Sequence, residues 1–196
     1  RNPYTGNIVE EYPALTTEQF HQRIGDAYRA FDGWQALTFS ERGAVLKAVA
    51  AELRADKVRL AETMAVEMGK PVKEGGPEVE KAAFCAEYYA DNAEAFLQRE
   101  ELASDASLSY VCYQPLGTLL GILPWNAPAW LAFRYLAPAL MAGNTCVMKH
   151  DPNVPGSARL IAEAFVRAGA PENIVVNLPI ETPQVEEAIR DPRIAA

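Results

Sequence analysis

The chain has 196 residues, a formal net charge of -8 and 49% hydrophobic residues. That length suits one sizeable domain or two small ones, and the composition is that of an ordinary globular protein. The acidic balance argues against a nucleic-acid partner, which would want clustered Lys and Arg, and no apolar run is long enough to cross a bilayer.

Asn2 to Val9 reads as a turn leading to a short strand. Helical signals then dominate to about Glu101. Thr16 with Gln19 three residues later forms a capping-box pattern. Phe20, Ile24, Ala27, Phe31 and Trp34 recur at helical spacing. Ser40 is placed to cap the next helix, whose apolar stripe is Val45, Leu46, Val49 and Leu53. The stripe resumes at Leu60, Met64 and Met68, and Gly69 is a stop. Gly75-Gly76-Pro77 predicts a break. A further helix over about Glu78–Glu100 turns Val79, Ala82, Ala86, Tyr89, Ala93 and Phe96 inward. Core packing is the ordinary meaning of such stripes.

From Ser104 the period changes to two. Leu108, Tyr110 and Cys112 alternate with Ser109, Val111 and Tyr113, which predicts a two-faced strand able to pair with another strand or another subunit. Thr118 to Leu123 is an apolar run that ends at Pro124-Trp125-Asn126-Ala127-Pro128. A helix follows from Ala129 to about Ala142. Gly143-Asn144 stops it, and Thr145 to Met148 forms a second apolar run that delivers Lys149. Strand, helix and strand in this length make a βαβ unit. Asn126 and Lys149 are expected just beyond two parallel strands, where open α/β sheets bind ligands. Ser157–Ala168 reads as a helix ended by Gly169, and Ile174–Leu178 as a buried strand. Thr182 and Pro183 read as N-cap and first helical residue, and Asp191-Pro192 as the stop. Arg193 to Ala196 begins an apolar segment.

These elements predict an α/β fold. N-terminal helices are followed by the first half of an open, Rossmann-like parallel sheet, with a strand segment for oligomerisation. The divisions are residues 1–103 for the helical part, 104–115 for the strand segment and 116–196 for the βαβ region. A sheet left unfinished at Ala196 reads as the N-terminal portion of a longer protein. The alternative is a complete small domain with a frayed tail.

Spacing alone supplies no reaction. No G-x-G-x-x-G follows a predicted strand and no P-loop is present. Neither His21 nor His150 has an evident nucleophile partner. Cys85, Cys112 and Cys146 have no metal-ligand spacing, so no metal site is expected. They read as buried free thiols in a reducing cytoplasm.

The wording of the motifs carries more. Pro124-Trp125-Asn126-Ala127-Pro128, then Pro138-Ala139-Leu140-Met141-Ala142-Gly143-Asn144-Thr145, then Val147-Met148-Lys149, resembles the aldehyde dehydrogenase superfamily. Asn2-Pro3-Tyr4-Thr5-Gly6, Ala36 to Arg42 and Glu67-Met68-Gly69-Lys70-Pro71 extend the resemblance over essentially the whole chain. Lys149 to Val154 is most similar to the succinate-semialdehyde dehydrogenase branch.

The resemblance implies NAD- or NADP-dependent oxidation of an aldehyde to a carboxylic acid through a cysteine thioester. In the family the nucleophile and the general base lie later in the chain than Ala196, so these residues alone are expected to be inactive. Asn126 matches the asparagine whose amide donates to the developing oxyanion; the plain alternative is an Asn satisfying its own turn. Lys149 matches the lysine that bonds the adenosine ribose hydroxyls, against an ordinary solvated Lys. Leu123, Pro124 and Trp125 match backbone that runs along the cofactor. Arg134 matches the arginine that meets the carboxylate of succinate semialdehyde, against an ordinary exposed helix residue.

Three departures from the family pattern stand out. Ala127 replaces an aromatic, and Pro152 stands where a glutamate often holds the ribose. No glycine-rich turn occurs around Pro179-Ile180-Glu181. Asp151, with His150, sits where NAD and NADP are told apart, and its carboxylate predicts NAD. The expected partners are a small aldehyde and further copies of the chain, as homodimer or homotetramer. A dehydrogenase of another aldehyde, a non-catalytic relative of the same fold and a free-standing nucleotide-binding module are the other readings.

Overall fold

The computed structural model describes residues 1–196. Helix α1 (Thr17–Gln35) opens at Thr16, and the capping box with Gln19 forms as expected. Helix α2 (Phe39–Ala55) is capped by Thr38 rather than Ser40. The Thr38 hydroxyl accepts from Glu41 N at 3.2 Å, and a Glu41 carboxylate oxygen accepts from Thr38 N at 2.8 Å. Ser40 cannot form this reciprocal pair, because Gly43 stands three residues after it.

Helix α3 (Lys57–Met68) stops at Gly69, whose φ of 79° suits a residue without Cβ. Helix α4 (Val72–Phe96) then runs straight through Gly75-Gly76-Pro77, where a break was expected. Gly75 answers a packing demand: a Cβ there would stand 2.9 Å from Ala61 of α3. Pro77 deprives only the Lys73 carbonyl of its helical donor, and Lys73 is exposed to solvent. Phe96, expected inside, is exposed at the end of α4.

The expected strand around residues 108–113 shrinks to a short hairpin. β1 (Glu100–Glu101) pairs antiparallel with β2 (Tyr110–Val111), and both are exposed. Cys112, expected to be buried, is exposed beside it. No strand forms at residues 7–9, which pair with no neighbour.

The parallel sheet is as expected. β3 (Thr118–Leu123), β4 (Thr145–His150) and β5 (Val175–Asn177) lie in that order. β4 is longer than its apolar run, because Ile122 and Leu123 pair with Lys149 and His150. Lys149 is therefore inside the strand and not beyond it. On the free edge of β3, Ile194 bridges to Thr118 in parallel. Ala195 N also donates to Thr118 O, and Leu120 N to Ala196 O, each at 2.8 Å. Strand order thus reverses at β3, which makes its carboxyl end a topological switch point.

Each face of the sheet is covered. Cys146 and Met148 pack with α2, α3, α4, α5 (Pro128–Met141) and α6 (Pro155–Arg167). Val147, between them in sequence, packs the other way against Phe20, Ile24 and Ala27 of α1 and Ala188 of α7 (Thr182–Arg190). The alternation is the period of two of a strand. Full burial of each such large side chain contributes about 1.5–3 kcal/mol. Helix α7 is capped by Glu181 rather than Thr182. Gln184 lies three residues beyond Glu181, and its side chain accepts from Glu181 N at 3.0 Å.

Helix α5 connects β3 to β4, and distant side chains hold both its ends. At its carboxyl end, Trp34 Nε1 donates to Leu140 O at 3.0 Å and Arg42 Nε to Met141 O at 3.1 Å. Asn144 is buried and bonded through both side-chain polar atoms. Its Oδ1 accepts from Leu116 N and Gly117 N, and its Nδ2 donates to Ala139 O at 3.1 Å. The Gly-Asn stop read from the sequence is thus the joint that sets β3 beside β4.

Candidate functional site

β3 ends at Leu123, and the chain turns through Pro124, Trp125, Asn126 and Ala127 into α5. Leu123 is half-buried; Pro124, Trp125 and Asn126 are exposed. The Asn126 side-chain amide makes no hydrogen bond within the chain, while its backbone carbonyl accepts from Lys70 Nζ at 2.9 Å. Ala127, at the N-cap of α5, supplies no side-chain cap. Glu78 of α4 does that work: one of its oxygens accepts from Ala129 N at 2.9 Å and Trp130 N at 3.2 Å. Its other oxygen pairs with Lys70.

His150, at the end of β4, ties the same turn. Its Nδ1 accepts from Asp151 N at 3.2 Å, so Nε2 carries the proton and donates to Pro128 O at 3.0 Å. Burial pushes the imidazole pKa down, against the smaller effect of the Pro128 bond. A neutral buried histidine gives stability that is present above the unfolded pKa of about 6.5 and is lost as pH falls through the lower folded value. The melting temperature of the wild type is therefore expected to fall more steeply than that of His150→Gln as pH is lowered from about 7 to about 5. Parallel slopes in thermal scans would contradict this.

Lys149 and Asp151 border a cavity of about 610 Å³. Its other walls include Tyr12, Glu67, Arg159 and Asn177. Asp151 Oδ1 accepts from Asn153 N at 2.9 Å. Arg159 pairs with Glu10 at 2.8 Å. Burial, then the bond to Glu10, raises the Tyr12 phenol to about 12. The N-terminus of α6 is closed by Glu67, which accepts from Ser157 N at 2.9 Å and Ser157 Oγ at 2.7 Å. Carboxylates thus fill the first turns of both α5 and α6, so neither offers free amides to a phosphate.

The cavity unites Lys149 and Asp151 and is not lined by Leu123, Pro124, Trp125 or Asn126. The sheet register sets the two groups side by side, since Leu123 is paired with His150. Arg134 stands apart, exposed on α5 and in no ion pair, one turn after Trp130, whose ring carries Lys81 Nζ at 4.0 Å. Of the cysteines, Cys85 and Cys146 are buried, and burial raises both thiols, Cys146 to about 12. Lys70, Glu78 and Glu67 received no role from the sequence. Their signal was a lysine set between Gly69 and Pro71 at a helix junction, with Glu67 three residues before it and Glu78 eight residues after it.

This is a doubly wound α/β fold with a polar turn at its switch point and a cavity bordered by Lys149 and Asp151 at the end of the neighbouring strand. The sequence profile of the aldehyde dehydrogenase family matches residues 1–196, and the chain belongs to that family. It is 40% identical over 195 residues to a protein of Synechocystis sp. named as a probable NADP(+) succinate-semialdehyde dehydrogenase, covering all of this chain and 43% of that one. The chain thus spans less than half the length of this relative. Among solved structures, it superposes on succinic semialdehyde dehydrogenase from Streptococcus pyogenes in complex with NADP+ with a TM-score of 0.94 at 34% identity, over 98% of this chain and 43% of that one. It superposes on PnpE in complex with nicotinamide adenine dinucleotide with a TM-score of 0.89 at 29% identity, over 95% of this chain and 39% of that one.

Proposed function

We propose that the enzyme carrying these residues oxidises succinate semialdehyde to succinate with a nicotinamide dinucleotide. The observation that carries the reading is the Asn126 turn, with an unbonded amide at the switch point and a backbone fixed from three sides. A free amide on a held backbone suits a developing oxyanion, because the backbone costs no reorganisation as charge builds. The bound dinucleotide supplies the hydride acceptor. Lys149 would donate to the sugar hydroxyls and Asp151 would accept from them, so the donor and acceptor on the cavity wall suit a nucleoside. Attack on the aldehyde carbon calls for a thiolate, and the raised, buried thiols of Cys85 and Cys146 are unsuited to it. Cys112 lies neither in the Asn126 turn nor on the cavity wall. Arg134, with no carboxylate of its own, is the group offered to the distal carboxylate of the substrate.

The dinucleotide is expected to be NAD in preference to NADP, because Asp151 repels a 2′-phosphate and accepts from a free 2′-hydroxyl. NADP in the names of the relatives sets the opposite expectation. Comparing kcat/KM for the two cofactors with succinate semialdehyde decides it, and Asp151→Ala should shift the ratio toward NADP. A wild-type preference for NADP that Asp151→Ala leaves unmoved would refute the role given to this carboxylate.

A further inference from the structure

We infer that Lys70 is a positioning residue for Asn126, holding the turn that carries the proposed oxyanion donor; this rests on the dehydrogenase reading above. Lys70 lies between Gly69, whose left-handed backbone ends α3, and Pro71, whose ring fixes the entry to α4. Its backbone direction is therefore set on both sides. Its side chain is 12% exposed and that of Glu78 is 7% exposed, so the pair is largely withdrawn from water.

Together the two grip the turn at both ends. The ammonium donates to the last carbonyl before Ala127, and the carboxylate accepts from the first amides of α5. Nothing local replaces them, since α5 has no side-chain cap of its own. The remaining tie, His150 to Pro128 O, lies beyond Asn126. Removing the ammonium frees the Asn126 carbonyl and leaves the second oxygen of the Glu78 carboxylate unpaired in a buried place, so that oxygen must recruit water or move. The donor amide moves with its backbone. A displacement of about 1 Å at a catalytic group can cost about 10²-fold in rate. Lys70 does not line the cavity that Lys149 and Asp151 border, so its loss should show in kcat and leave dinucleotide binding alone.

The test combines hydrogen–deuterium exchange with a double-mutant cycle in the active enzyme. Lys70→Met should speed amide exchange across residues 124–130 and lower kcat about tenfold or more, with the Kd for dinucleotide unchanged. In an Asn126→Ala background the same change should cost less than about twofold, since a group that acts through Asn126 has nothing left to position. If the Met variant does not fold, Lys70→Gln, which keeps an N–H donor but loses the charge and one atom of reach, should show the same losses at smaller size. Unchanged exchange in the turn, unchanged kcat, or equal losses in both backgrounds would overturn the proposal. If Asn126→Ala lowers kcat and Lys70→Met does not, only the role of Lys70 falls. If Asn126→Ala leaves kcat unchanged, the oxyanion reading falls first and the positioning role with it.

Discussion

Replacing Asn126 by alanine is expected to lower kcat by about 10²–10³-fold, the usual cost of one oxyanion donor. β3 is paired with β4 along its whole length, as far as Leu123 with His150, and Ile194 bridges its other edge at Thr118, which fixes the point where the turn begins. Helix α5 is held at its first turn by Glu78 and at its last by Trp34 and Arg42, which fixes the point where the turn ends. Asn126 lies between these anchors with its amide free to donate. Alanine removes the amide and leaves the anchors, so folding and dinucleotide affinity should stay near wild type. The amide meets charge that exists only as the carbonyl oxygen becomes an oxyanion, so the loss belongs in kcat rather than in KM. Steady-state rates with saturating cofactor measure this. A kcat equal to wild type would remove Asn126 from the chemistry and leave it as a turn residue.

Arg134→Ala is expected to raise KM for succinate semialdehyde about 10- to 100-fold while changing KM for butanal by less than about twofold. A guanidinium and a carboxylate make two parallel charge-assisted bonds, and an uncharged aldehyde of the same length makes none. Arg134 follows Pro128 by six residues, about 9 Å along the helix axis. A four-carbon semialdehyde is of the right order to reach from the Asn126 amide toward it. The residue is exposed and makes no ion pair, so its removal should change stability by no more than about 0.5 kcal/mol. Equal shifts in the two KM values would make Arg134 an ordinary helix residue and remove the direct support for a carboxylate-bearing substrate.

The sheet and its connecting helix were legible because local signals agreed there. Apolar runs at residues 118–123 and 145–148 alternate with a helix ended by Gly143-Asn144, and no competing pattern overlaps them. Misreadings arose where a tertiary demand or a second local partner chose the residue. Gly75 looks like a helix breaker, yet it lets α4 approach Ala61 of α3. Thr38 and Ser40 both look like caps, and the choice fell to the one with a glutamate three residues on. The apolar run ends before Lys149 and so places it past the strand, but pairing with β3 carries the strand on through His150. The exposed hairpin was weakly written, since residues 104–113 bury nothing within the chain that could fix their register.

At the candidate site, position was legible and support was not. The Pro-Trp-Asn-Ala-Pro wording marks the turn at Asn126, and resemblance gives it a role. Glu78 reaches α5 across 51 residues and Glu67 reaches α6 across 90, so no local window could pair them. Arg42 likewise reads as a surface charge in an amphipathic helix, but it is buried and bonds the end of α5 across 99 residues.

The most direct measurement of the central claim is product stoichiometry with specificity. The enzyme carrying these residues is incubated with succinate semialdehyde and dinucleotide, and succinate and reduced nicotinamide are quantified together. The same preparation is then assayed with butanal. We expect one succinate for each reduced nicotinamide and a kcat/KM for succinate semialdehyde at least about tenfold above that for butanal, the value of one charge-assisted contact. No reduced nicotinamide from either aldehyde, or equal kcat/KM for the two, would contradict the assignment.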